Sequence, residues 1–420
     1  MPPLRRPTLA WLLVALGLLA ANLALQLALG RAGYDNQPVN AYRPTSSDAL
    51  VYVGQAAQAA AGEFRAAFAG GFRPPGYPLF LAACLGLFAR PWLAARLLQA
   101  ALSALIIPLA FATLAGALGR PARALAGAAL VALWLPLYYF APVLTAESVS
   151  LFVLAVALWL MARAARGGGR GWLAAGGLAA AAAALVYLKP NHVFLALPAA
   201  VFLGASGARG RAAAFAGGLA LLLLPWTAFI SAANGRFIPL STTSGINLYL
   251  GTGIDPAAGD GGGLPGTVAA RLGLADAERA AAIGGRAAAL GPAAQDALYS
   301  AEAAARWRAR FPATALYGLS KAAHAFGFSL RGGSDLVQVG LLGAALAASV
   351  GLWRGGRRPW ALFLWAVIAV TALQAFLFLS NQRFKVVLFD LPALLVIGLA
   401  AGEWLIARTG DGLRPLTPGL

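Results

Sequence analysis

Apolar runs of about 20 residues, the length an α-helix needs to cross a bilayer, recur from end to end of this chain. One soluble core could not bury so many of them, and inside lipid a helix satisfies its own backbone groups. The fold class expected is therefore all-α, a polytopic membrane protein of about ten transmembrane helices, roughly 10 to 12. Hydrophobic residues make up 60% of the 420 and charged residues only 11%, which excludes an ordinary soluble domain. The net charge of +18 raises a nucleic-acid reading. The arginines argue against it, because they are dispersed in short loops between apolar runs and do not collect on one soluble face. Cys84 is the only cysteine, which leaves no intramolecular disulfide and no thiolate metal site.

Charge placement orders the crossings. Arg5 and Arg6 precede the first span, residues 8–30, read as a retained anchor with a cytoplasmic amino terminus. Residues 77–89 are apolar but only about four turns long, too short to cross. If they lie at the interface, spans follow at 93–118, 122–141, 143–164, 172–188, 191–205 and 211–232. Arg120 and Arg123, then Arg163, Arg166 and Arg170, then Arg209 and Arg211 all become cytoplasmic. Residues 312–330 are interfacial by the same logic, since a crossing there would put Arg354, Arg357 and Arg358 outside. The last spans are 335–353, 359–379 and 386–406, with both termini cytoplasmic. Three regions result: a transmembrane core at 1–232 with a first external loop at 31–76, an extracytoplasmic segment at 233–334 with its interfacial helix, and C-terminal spans with a cytoplasmic tail at 335–420. Residues 48–61 and 64–70 read as short helices lying at the interface.

This topology leaves a distinct set of ionisable groups at the outer ends of helices: Asp48, Arg73, Glu147, Lys189, His192, Lys321, His324, Arg383 and Lys385. Polar groups at the edge of an apolar bundle are functional by default, because leaving them unpaired is costly. Asp48 has Tyr52 one helical turn on, and Arg73 precedes the stiff corner Pro74-Pro75-Gly76-Tyr77-Pro78. One or two carboxylates among many cations outline a site for an anionic lipid phosphate with a proton acceptor beside it. Plainer roles exist for each. Asp48 can begin a helix, Arg73 can reach for headgroups, and Glu147 can pair with Arg73 or Lys189. His192 suits a structural role, while Lys321 and His324 suit the solvated side of an amphipathic helix. Asp390 lies inside the last span and needs a partner, and Arg383 and Lys385 are the nearest cations in sequence. The Gly-rich stretch around Asp255 and Asp260 lacks calcium-loop spacing and reads as a flexible loop.

Six stretches in order carry a resemblance: Asp48 with Tyr52; RPPGYPLFLA at 73–82; LTAES at 144–148; LKP at 188–190; LPW followed by GRFIPLSTTSGINLYLGTG at 235–253; and QRF at 382–384 ahead of Leu391-Pro392. In this ordered set the chain resembles the bacterial GT-C glycosyltransferases. Within them it is most similar to the dolichyl-phosphate-mannose-protein-mannosyltransferase-like set, which includes the aminoarabinose and galacturonic-acid lipid A transferases. The resemblance implies a GT-C-like bundle with juxtamembrane helices and the catalytic carboxylate in the first external loop. It implies a polyprenyl-phosphate sugar donor and transfer at the outer face of the bacterial cytoplasmic membrane. Residue by residue it implies Asp48 as base, Arg73 near the donor phosphate, Glu147 as a second external-loop acid and Arg383 close to the lipid phosphate. Lys189 and Lys385 join as phosphate candidates, and Tyr52 joins Glu147 on the acceptor side. The chain departs from the pattern at Phe229 and Ile230, which follow Pro225-Trp226 where many relatives have an Arg-Asn pair. It departs again at Ser47 and Ala49, which flank Asp48 where many GT-C enzymes pair their acids.

A lipid monophosphate leaves readily, so what the reaction needs is cations to hold its growing charge and one carboxylate to take the acceptor proton. One base without a covalent nucleophile gives a single displacement and inversion at the anomeric carbon. Neither a metal nor a cofactor is expected. The partners expected are the polyprenyl-phosphate sugar, membrane lipids, and a glycolipid, glycan or protein acceptor. Two alternatives stay open: a polymerase or ligase using a lipid-linked oligosaccharide, and a transporter or flippase, which internal repeats would have favoured.

Overall fold

The computed structural model describes residues 6–39, 47–166, 168–255, 264–328, 335–379 and 385–408. The described residues are helical with no strand, a GT-C-like arrangement of apolar helices. In chain order these are α1 (Arg6–Leu29), α2 (Ser47–Ala60), α3 (Phe64–Phe68), α4 (Gly76–Leu87), α5 (Pro91–Ala104), α6 (Ile106–Leu118), α7 (Pro121–Leu133), α8 (Glu147–Ala164), α9 (Gly168–Leu188), α10 (Ala196–Ala205) and α11 (Arg209–Asn234). After them come α12 (Ser244–Leu250), α13 (Leu264–Arg271), α14 (Ala277–Ala288), α15 (Pro292–Ala309), α16 (Phe311–Ala325), α17 (Leu336–Arg354), α18 (Arg358–Leu377) and α19 (Leu391–Arg408).

Among the described residues, eight helical stretches are long and apolar enough to cross a membrane: Leu9–Leu29, Pro91–Leu118, Glu147–Ala164, Gly168–Leu188, Arg209–Asn234, Leu336–Arg354, Arg358–Leu377 and Val386–Leu405. The last is the centre of the bundle, 78% buried in protein, whereas Leu9–Leu29 is 17% buried and lies at the edge. α4, at 12 residues, stays short of a span, as expected of residues 77–89. The two remaining expected crossings, 122–141 and 191–205, are not continuous α-helices. Both still run from one end of the bundle to the other. A side chain at Gly116 would strike the Arg166 guanidinium, so α6 and α8 end together. Glu147 at the start of α8 touches Lys189 at the opposite end, so the segment from 121 to 146 covers the full depth. Gly171 likewise abuts Arg211 at the first end, so the chain from Lys189 to Ala205 returns as a 3-10 turn, Pro190–Leu195, followed by α10.

The first broken crossing shows how irregular backbone survives in an apolar interior. Prolines at 136 and 142 interrupt the helix, and the freed carbonyls need donors, since lipid offers none. Buried side chains supply them. Gln99 Nε2 donates to Ala141 and Val143 at 2.8 Å each, Arg96 Nε to Pro142 at 2.9 Å, and Asn22 Nδ2 to Ala132 at 2.7 Å. Arg96 is itself 1% exposed and is anchored by Asp35, whose carboxylate lies 3.1 Å from its Nη1. The neighbouring α7 packs on α19 where Gly127 meets Gly398, and a side chain at either glycine would run into the other's backbone.

Candidate active site

The end of the bundle opposite Arg120, Arg166 and Arg211 holds a cavity of about 410 Å³. Its walls come from five places in the sequence: the start of α2, the turn before α4, the break after α9, the loop between α11 and α12, and the end of α18.

Local sequence sets each wall. Asp48 stands in the first turn of α2, where a carboxylate suits the helix dipole. Arg73 is held by the chain on both sides. Behind it, Gly71 takes φ +65°, open to glycine, and its carbonyl accepts from Thr242 N at 2.9 Å. Ahead of it, Gly76 lies against the Tyr187 carbonyl, where a Cβ has no room. α9 stops at Leu188 because Lys189 precedes Pro190 and takes extended geometry, φ −158° and ψ 123°. The far lip is tied to α11, since Trp226 Nε1 donates to Leu240 at 2.7 Å and Thr227 Oγ1 to Pro239 at 2.6 Å.

Asp48, Arg73 and Lys189 all line this cavity, and they are the three charged residues among its described walls. Arg73 Nη2 donates to Asp48 Oδ1 at 2.6 Å, with the side chains 18% and 9% exposed. Lys189 Nζ donates to Glu147 Oε1 at 2.7 Å, with 7% and 2% exposed. Glu147 is absent from the cavity's described walls and pairs with Lys189, which lines them. Arg73 also lies over the Phe72 ring at 5.0 Å and leaves its Nε without a partner. Tyr52, one turn after Asp48 on α2, is buried outside the cavity's described walls and lies edge-on to Tyr77 at 4.8 Å. Tyr77 in turn donates to Gln99 Oε1 at 2.5 Å, which joins α4 to the brace of the broken crossing.

Other expected residues lie elsewhere. Lys385 is buried and is absent from the cavity's described walls; the carboxylate that influences it most is Asp390. Asp390 Oδ2 accepts from Trp134 Nε1 at 2.9 Å, a partner that sequence distance conceals. Arg383 and Asp260 fall outside the described residues, although Leu379, four positions before Arg383, lines the cavity. His192 is buried, and its Nδ1 hydrogen-bonds the Leu185 carbonyl at 3.0 Å. His324 is half-buried on α16.

Lys321 corrects an expectation. It is 1% exposed rather than solvated, and its Nζ donates to Gly251 O at 2.7 Å and Phe378 O at 2.8 Å, with the Tyr317 ring 5.0 Å away. The two carbonyls and the ring favour its charged form; burial opposes them and prevails, lowering its pKa to about 7. Through Phe378 it braces the cavity lip.

Asn191, Asn247 and Gln374 also line the cavity and were not singled out in the sequence. Neutral amides carry no charge-placement signal, and each becomes notable only by facing the same space.

The polytopic helical architecture is that of a GT-C-like membrane protein. Residues 72–230, less than half of the chain, match the family model described as dolichyl-phosphate-mannose-protein mannosyltransferase. The match bears out the resemblance over that stretch and indicates a membrane glycosyltransferase of GT-C type. It includes Arg73, Glu147 and Lys189 and begins after Asp48. Comparison with curated proteins and with solved structures gives no match.

Proposed function

We propose that this protein transfers a sugar from a polyprenyl phosphate to an acceptor hydroxyl or amine, at the outer face of the bacterial cytoplasmic membrane and with inversion. The observation that carries the reading is that Asp48, Arg73 and Lys189 surround one cavity. The acceptor oxygen or nitrogen attacks the anomeric carbon and forms the new glycosidic bond. The bond from that carbon to the phosphate oxygen breaks, and its electron pair leaves on polyprenyl phosphate. Arg73 and Lys189 hold the growing negative charge, and the acceptor proton passes to the Asp48 carboxylate. Among the described residues Asp48 forms its ion pair with a cation, Arg73, which supports a route without a metal. The contact with Arg73 aims the Asp48 carboxylate before substrate arrives.

The test is Asp48→Asn in membranes or purified protein. The variant is expected to insert normally and to lose transfer by about a hundredfold or more. Undiminished turnover would remove Asp48 from the mechanism.

A further inference from the structure

Every charged group on the described cavity wall already has an opposite charge in contact, Arg73 with Asp48 and Lys189 with Glu147. Apart from Nε of Arg73, the hydrogen-bonding capacity left over on the described wall is neutral. Asn191 follows Lys189 by two residues, and both its Oδ1 and Nδ2 are buried without a partner. Gln374 on α18 is 5% exposed, and its Oε1 is likewise buried without a partner. Both side chains line the cavity. A buried amide atom left unpaired costs about 1–3 kcal/mol, so two such residues facing one space make a site that a hydroxylated ligand completes. Donors and acceptors on the same amide match a sugar hydroxyl, which both gives and accepts a hydrogen bond.

From this we infer that Asn191 and Gln374 form the sugar-reading wall of the donor site, and that they select an uncharged, polyhydroxylated sugar over a cationic amino sugar or an anionic uronic acid. The inference deepens the transferase reading and rests on it for the identity of the donor. Asp48, Arg73 and Lys189 address the phosphate and the reacting atoms, while the amides address the ring hydroxyls. Among the described wall residues, a cationic sugar meets no carboxylate that is not already paired with a cation, and a uronic acid meets no cation without its acid.

The experiment uses the full-length protein in lipid nanodiscs and short-chain polyprenyl phosphates carrying a neutral hexose, an aminopentose, a hexuronic acid or no sugar. Both binding and transfer are measured, for the unaltered protein and for Asn191→Leu and Gln374→Leu. The neutral-sugar lipid should bind and react best. Each substitution should weaken binding of that lipid about 10- to 100-fold while changing binding of the sugar-free lipid phosphate less than about twofold. Donors lacking one ring hydroxyl sharpen the result: where the missing hydroxyl is the one an amide reads, substituting that amide should cost nothing further. If a leucine variant fails to insert, Asn191→Ser or Gln374→Ser, polar but without the reach, takes its place. A preference for either charged sugar would overturn the inference, as would equal loss of sugar-free phosphate binding or no effect of either substitution. Amide-dependent binding of the neutral donor without any transfer by the unaltered protein would instead sink the transferase reading and leave the sugar-reading wall standing.

Discussion

Glu147 and Lys189 lie 2.7 Å apart with side chains 2% and 7% exposed, so neither charge is comfortable there without the other. Glu147→Gln or Lys189→Met alone leaves an uncompensated buried charge and should destabilise the protein by about 3–5 kcal/mol. The double variant should cost less than the two singles together by about 1 kcal/mol or more, measured by unfolding in detergent. Strict additivity would mean that the pair does not act as a unit. Lys321 gives a pH signature. The unfolded chain holds this proton up to about 10.5 and the folded protein only to about 7. Between those values the unfolded state binds more protons, so stability rises with pH from about 7 towards 10 and is lowest below 7. Tyr317, pushed up to about 12 by burial, does not titrate in that window. Unfolding midpoints taken from pH 6.5 to 9.5 should climb, and Lys321→Met should flatten the climb. An equal slope in the variant would assign it to other groups.

At the scale of elements, the broken crossing from 121 to 146 stands on side chains from outside itself. Gln99 is its main brace, donating to two carbonyls while accepting from Tyr77. Gln99→Leu strips all three of their partner in an apolar interior and should cost about 3 kcal/mol or more. Tyr77→Phe added to it should cost little, because the phenol it removes has already lost its acceptor. A fully additive second loss would contradict this account. The sequence shows the prolines that interrupt this crossing, and the apolar run shows that the segment belongs to the bundle. The brace was not legible, because Gln99 and Arg96 sit in α5 and meet the segment only after folding.

At the scale of the whole molecule, the cationic loops gather at one end of the bundle and the cavity at the other. The charge rule assigns the first end to the cytoplasm. Reporters fused to either terminus should therefore be active only inside, and a tag inserted at Gly291, which is exposed between α14 and α15, should be labelled only from outside. Labelling of that tag from the cytoplasmic side would invert the proposed topology. The same placement explains the cavity's composition, since Asp48, Lys189 and Gln374 converge at one end from widely separated stretches.

The amino-acid sequence by itself determined that this chain is a helical membrane bundle, because apolar run length and arginine placement act locally and survive without any partner. It also pointed to Asp48, Arg73 and Lys189, since charge at the edge of an apolar run needs a reason. Only the tertiary structure decided how those charges pair, that Lys321 is buried in the lip, and that Asn191 and Gln374 turn unpaired amides to the same space. Those facts depend on distances between residues far apart in the chain, and such distances exist only once the helices have packed.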